Sequence, residues 1–124
     1  MDKPSDVLIN AQNILRASGW CRGVYKWGTG ECCSLGVIRE ASGMEMTLQV
    51  PDVACGTGVY SFKSENAAYR RAANVLADAL GFLTHSDILA WNDSRDDIAE
   101  VLAAFDRAIE LAKMSEYVAE VRAR

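Results

Sequence analysis

Hydrophobic positions recur at helical spacing along most of the chain. Val7, Leu8, Ala11, Ile14 and Leu15 share one face, Pro4 suits a first helical turn, and Gly19 is a natural stop. The pattern predicts a helix over Ser5 to Ser18. A second helix is expected over Glu31 to Ala41, capped by Thr29 or Gly30 and stopped by Ser42-Gly43. Its apolar surface is Cys33, Leu35, Val37 and Ile38. A third begins at Asn66 and carries Ala68, Ala72, Val75, Leu76, Ala79 and Leu80 on one side. Gly81 ends it, and Phe82 is placed to fold back as the contact after the cap. Ser86 or Asp87 is expected to cap a brief turn ahead of Trp91. Asp93 or Ser94 then caps a last helix whose stripe is Ile98, Val101, Leu102, Phe105, Ala108, Ile109 and Ala112.

Two segments break this period. In residues 44–65, Met44, Met46, Leu48 and Val50 alternate as in a strand, and Gly58 to Lys63 (GVYSFK) can pair with them across a turn-rich connection containing Pro51. A short hairpin or an irregular excursion over the helices fits equally. In the last helix the stripe changes phase after Ala112: continuing it would bury Ser115 and Glu116, whereas Met114, Tyr117, Val118 and Val121 mark another face. Either the helix bends near Lys113, or this second face packs locally as a tail, or it offers a surface for a homodimer or another protein.

The expected fold is therefore mainly α, a small bundle of about four helices with a short β-hairpin or irregular insert, forming one domain over residues 1–124. At 124 residues the chain can bury a core without staples. A net charge of −4, with no block of Lys or Arg, disfavours nucleic-acid binding. No stretch approaches 18 apolar residues and the start lacks the pattern of a signal peptide, so neither a membrane span nor export is expected. The default location is cytoplasmic, where Cys21, Cys32, Cys33 and Cys55 are expected as thiols.

Candidate chemistry centres on Gly19 to Gly36, which gathers three cysteines and two tryptophans. A cysteine hydrolase would use Cys33, activated in the first turn of its helix, with His85 as base and Asn92, Asp87 or Asp93 to orient it. The plainer reading makes Cys33 a small core residue. Zinc would need Cys21, Cys32 or Cys33, Cys55 and His85, but no C-x-x-C or H-x-x-x-H pair is present, so no metal and no cofactor is expected. Arg22, Lys26 and Arg95 near helix starts could gather a small anionic ligand. A pocket for a ligand would be lined by Trp20, Arg22, Tyr25, Trp91, Asn92, Asp93 and Arg95, with Trp27 nearby. Against this, a tryptophan plug and a helix cap account for Trp91, Asn92 and Asp93 with no ligand at all.

Gly19–Tyr25 (GWCRGVY), Cys33–Ala41 (CSLGVIREA), Trp91–Asp93 (WND) and Glu100–Ile109 (EVLAAFDRAI), taken in order, resemble a family of small uncharacterised proteins from actinobacteria and their phages. The family pattern runs GW-x-x-G, C-x-x-G-A, then WND-x-x-x-R-T-x-x-E-V. This chain has one residue fewer between Asp93 and Glu100, Asp96 where the pattern has threonine, and Val37 where it has alanine. The resemblance implies an α-rich fold and a bacterial or phage origin, and it implies no activity. The expectation is a non-enzymatic phage or prophage protein that binds a host protein or a small molecule in the bacterial host cell. The alternative is the hydrolase built on Cys33 and His85.

Overall fold

The computed structural model describes residues 3–49 and 58–124. Among them run α1 (Pro4–Ser18), β1 (Lys26–Trp27), α2 (Ser34–Ala41), β2 (Met46–Gln49), β3 (Val59–Phe62), α3 (Ala67–Leu80), α4 (Asp87–Asp93) and α5 (Ile98–Arg122). The fold is a mainly helical bundle with a three-stranded antiparallel sheet in the order β1-β3-β2. The hairpin pairs Met46 with Phe62 and Leu48 with Tyr60, the alternation read from the sequence. Val50 and the connection 51–57, with Pro51 and Cys55, lie outside the described residues.

α1, α3 and α5 pack on one another, and α2 lies against α1. Val7, Leu8, Ala11 and Leu15 of α1 meet Val101, Ala104, Phe105 and Ala108 of α5 in the core. α3 contributes Ala72, Ala73, Leu76 and Ala77, whose small side chains allow close approach, and Tyr69, a core residue the alanine stripe does not announce. Its ends are capped as expected. The Asn66 side chain accepts from the Tyr69 N–H, Gly81 takes the left-handed conformation at φ 80°, and the Phe82 N–H donates to the Ala77 carbonyl at 2.8 Å.

Three expectations are corrected. α2 starts at Ser34 rather than Glu31, because residues 31–33 are extended and spend their backbone groups on the preceding loop. Cys32 donates to the Gly19 carbonyl and accepts from the Cys21 N–H, Trp27 donates to the Glu31 carbonyl, and Cys33 donates to that of Tyr25. Cys33 is thus the residue before the helix, and its Sγ accepts from the Gly36 N–H at 3.3 Å in place of the expected caps Thr29 or Gly30. Second, Trp91, Asn92 and Asp93 do not cap the last helix; they form the end of α4, where Ile88 and Asn92 fall one turn apart on its inner side. Asp97 caps α5, accepting from the Ala99 and Glu100 N–H groups. Third, α5 runs on as one helix past Lys113. Its stripe ends in a carboxylate: Glu116 accepts from the Ser5 N–H at 3.0 Å and from the Ser5 hydroxyl. α1 has no side-chain cap of its own, so α5 supplies one, and its negative charge suits the positive helix end.

Candidate functional site

The loop of residues 19–33, the start of α2 and the end of α4 meet around Asn92, which is 1 % exposed. Its Oδ1 accepts from the Trp20 indole N–H at 2.7 Å, the Ser34 N–H at 2.9 Å and the Ser34 hydroxyl at 2.6 Å. Its Nδ2 donates to the Cys21 carbonyl at 3.1 Å and to Asp93 Oδ1 at 3.2 Å. One amide thus caps α2, anchors Trp20 and closes the loop, which is why a polar group can be wholly buried here. Asp93 Oδ1 also accepts from the Gly23 N–H at 2.9 Å. Gly36 completes the fit: a Cβ there would run into the Tyr25 carbonyl, so only glycine lets the loop lie against α2.

Between loop and α4 opens a cleft of about 290 Å³, lined by Gly23, Val24, Tyr25, Cys33, Leu89 and Asp93. Val24, Tyr25 and Leu89 give it an apolar part, and its lining is otherwise polar, with Asp93 as its charged residue. Oδ2 of that carboxylate carries no hydrogen bond among the described residues. Burial raises the Cys33 thiol pKa above its ordinary value, outweighing the Gly36 and Leu35 N–H groups that favour the thiolate. Cys21 is pushed up to about 12 by burial, with nearby Cys33 and Glu31 adding to it. Cys32 rises too, through burial and then the neighbouring Glu40 carboxylate. All three stay protonated at neutral pH, and a thiol is a poor nucleophile.

The structure separates the sequence candidates into groups. Tyr25, Cys33 and Asp93 line the cleft, with Asn92 behind it. Arg22 and Arg95 each stack on a tryptophan and bond a backbone carbonyl. Arg22 lies over the Trp20 ring at 5.7 Å and donates to the Arg95 carbonyl; Arg95 lies over Trp91 at 5.4 Å and donates to the Trp91 carbonyl. Lys26 pairs with Glu40 at 2.7 Å. His85 makes no hydrogen bond to Cys33. Its Nδ1 faces Asn74 Oδ1 at 3.1 Å, its Nε2 lies 3.8 Å from Glu65, and its ring meets Tyr69 edge-on. Among the described residues no group of histidine, cysteine and acidic side chains could hold a metal.

Sequence reasoning missed Arg39. The residue is only 7 % exposed, its guanidinium held between the Tyr25 and Tyr69 rings at 4.4 and 4.3 Å and paired with Glu65 at 3.3 Å. Its Nε and the Tyr69 hydroxyl are buried without hydrogen-bond partners, and burial pushes the Tyr69 pKa up to about 12. The aromatic faces offset part of the cost of burying this cation. Tyr25 therefore stands between the cleft and a buried charge. The signal was thin: an arginine at the third-last position of an apolar helix, with its two tyrosines far off in sequence.

The described residues form a helical scaffold with a small cleft beside Asp93. The chain belongs to the family of unknown function DUF6197, whose model matches residues 1–111. No curated protein matches it. No solved structure matches it either.

Proposed function

We propose that this is a non-enzymatic binding protein of a phage or prophage, acting in the host cytoplasm on a small molecule or on a projecting group of a host protein. The cleft beside Asp93 carries the reading. Ligand pockets usually span roughly 300–1,000 Å³, so about 290 Å³ suits a fragment-sized group and is too small for a whole nucleotide. An apolar part and one open carboxylate oxygen select a group that offers a hydrogen-bond donor, such as an amine or guanidinium on an apolar stem. It differs from the small anionic ligand expected from Arg22 and Arg95, each of which gives one N–H to a backbone carbonyl. The resemblance to actinobacterial and phage proteins supports the setting. The exposed apolar side of α5, with Met114, Tyr117, Val118 and Val121, is the surface this reading gives to a protein partner, a second copy of the chain first.

Leu89→Trp, on the open wall of the cleft, tests it. Saturation-transfer NMR against a library of small amines and guanidines should give signals with the wild-type protein that Leu89→Trp abolishes at unchanged melting temperature. A wild-type protein silent to the whole library, or a Leu89→Trp variant that binds as well, would overturn the cleft reading.

A further inference from the structure

α5 carries two apolar faces. The first, through Val101, Phe105, Ala108 and Ala112, is buried against the bundle and ends at Glu116 on the α1 N-terminus. Since Gln12 bonds Asp106 while Ser5 bonds Glu116, α1 and α5 are antiparallel. Residues 117–122 therefore project about 9 Å past the start of α1. The second face is Leu111, Met114, Val118 and Val121, all exposed, with Met114 and Tyr117 each at 65 %. At about 100° per residue it lies on the far side of the helix from the first. Its steps of three, four and three residues are those of a coiled-coil seam, with Leu111 and Val118 at the a positions and Met114 and Val121 at d.

The flanks of this seam say what covers it. The side chains beside a and d are Glu110, Ser115, Tyr117, Arg122 and Arg124: an acid at the N-terminal end and two bases at the C-terminal end. Lys113 and Glu120 fall at positions away from the seam, and Glu120 pairs with Arg124 of its own chain at 3.5 Å, an exposed contact that a partner's Glu110 would have to replace. Side by side and parallel, two such helices would set Glu110 against Ser115 and Tyr117 against Arg122, with no opposite charges paired. Antiparallel, Leu111 meets Val121 of the other copy, Met114 meets Val118, Tyr117 meets Tyr117, and Glu110 reaches Arg124 at both ends. The antiparallel helix dipoles add to this.

We propose that the protein pairs with a second copy of itself through an antiparallel two-helix seam formed by residues 110–122 of α5, with Arg124 just past its end. The proposal rests on reading this face as a partner surface and adds its occupant and direction. Two heptads are fewer than the three or four of a self-sufficient coil, so the pair is weak, with a dissociation constant on the order of 10–100 µM.

Sedimentation equilibrium of the full chain from micromolar to millimolar concentration tests it. A monomer–dimer equilibrium is expected. The Met114→Glu, Val118→Glu double variant should weaken it at least about tenfold at unchanged circular dichroism. Glu110→Arg should also weaken it, and adding Arg124→Glu to that variant should restore it. A monomer throughout the range, or a dimer untouched by the Met114 and Val118 changes, would sink the self-pairing, while the cleft reading stands or falls on the Leu89→Trp test alone. A dimer that needs Met114 and Val118 but ignores the charge changes would overturn the antiparallel direction alone.

Discussion

At the scale of single residues, Asn92 is the side chain on which most of the structure around the cleft depends. It satisfies a tryptophan N–H, a helix-starting N–H, a serine hydroxyl and a loop carbonyl. Asn92→Ala leaves those groups buried and unpaired, and each stranded group costs roughly 1–3 kcal/mol. Urea denaturation should show a loss on the order of 3 kcal/mol or more, with Trp20 fluorescence shifting as the indole loses its partner. Asparagine in the sequence reads as a cap or a turn residue; that it caps a helix 58 residues away is a property of the packing. Cys33 is a similar case. Its place beside a helix start suggests activation by the helix dipole, yet the same place seals it from water, and desolvation is the larger effect.

Among the elements, α1 and α5 complete each other. Glu116 answers the orphan N–H groups of α1, and Gln12 of α1 bonds Asp106 and the Leu102 carbonyl of α5. Replacing Glu116 with alanine should cost about 1 kcal/mol, the usual worth of an N-terminal cap, read as a lower urea midpoint at unchanged slope. Removing the whole tail after Lys113 should cost at least as much and abolish self-association as well. Such a truncation measures two contacts, whereas Glu116→Ala isolates one. The phase change in the sequence is the point where one continuous helix hands its inner face from core packing to capping.

For the whole molecule, the buried thiols link fold to pH. Cys21 titrates near its ordinary 9.0 when unfolded and at about 12 when folded, and Cys32 and Cys33 are raised in the same sense. The folded state therefore binds more protons above pH 9, so these groups stabilise it fully below their unfolded pKa and lose that contribution as pH climbs toward 12. Thermal melts should stay level from neutral pH to about 9 and fall above it. Replacing Cys21 with alanine should flatten part of that fall. Alkylation at neutral pH should be slow for Cys21, Cys32 and Cys33 and speed up on unfolding.

The sequence alone determined the helical period, the ends of α3, the hairpin alternation and the extent of the core stripe on α5. Those features depend on contacts within a few residues or on one repeating face, and local chemistry encodes both. It could not say where α2 begins, what Trp91 to Asp93 cap, or why Glu116 interrupts an apolar stripe. Each of those was decided by a partner distant in the chain: Tyr25 for Cys33, Ser34 for Asn92, Ser5 for Glu116. The same holds for Arg39, which reads as a solvated helix residue until Tyr25 and Tyr69 close over it. Burial and long-range hydrogen bonding decide what a polar side chain does, and only the assembled tertiary structure sets those.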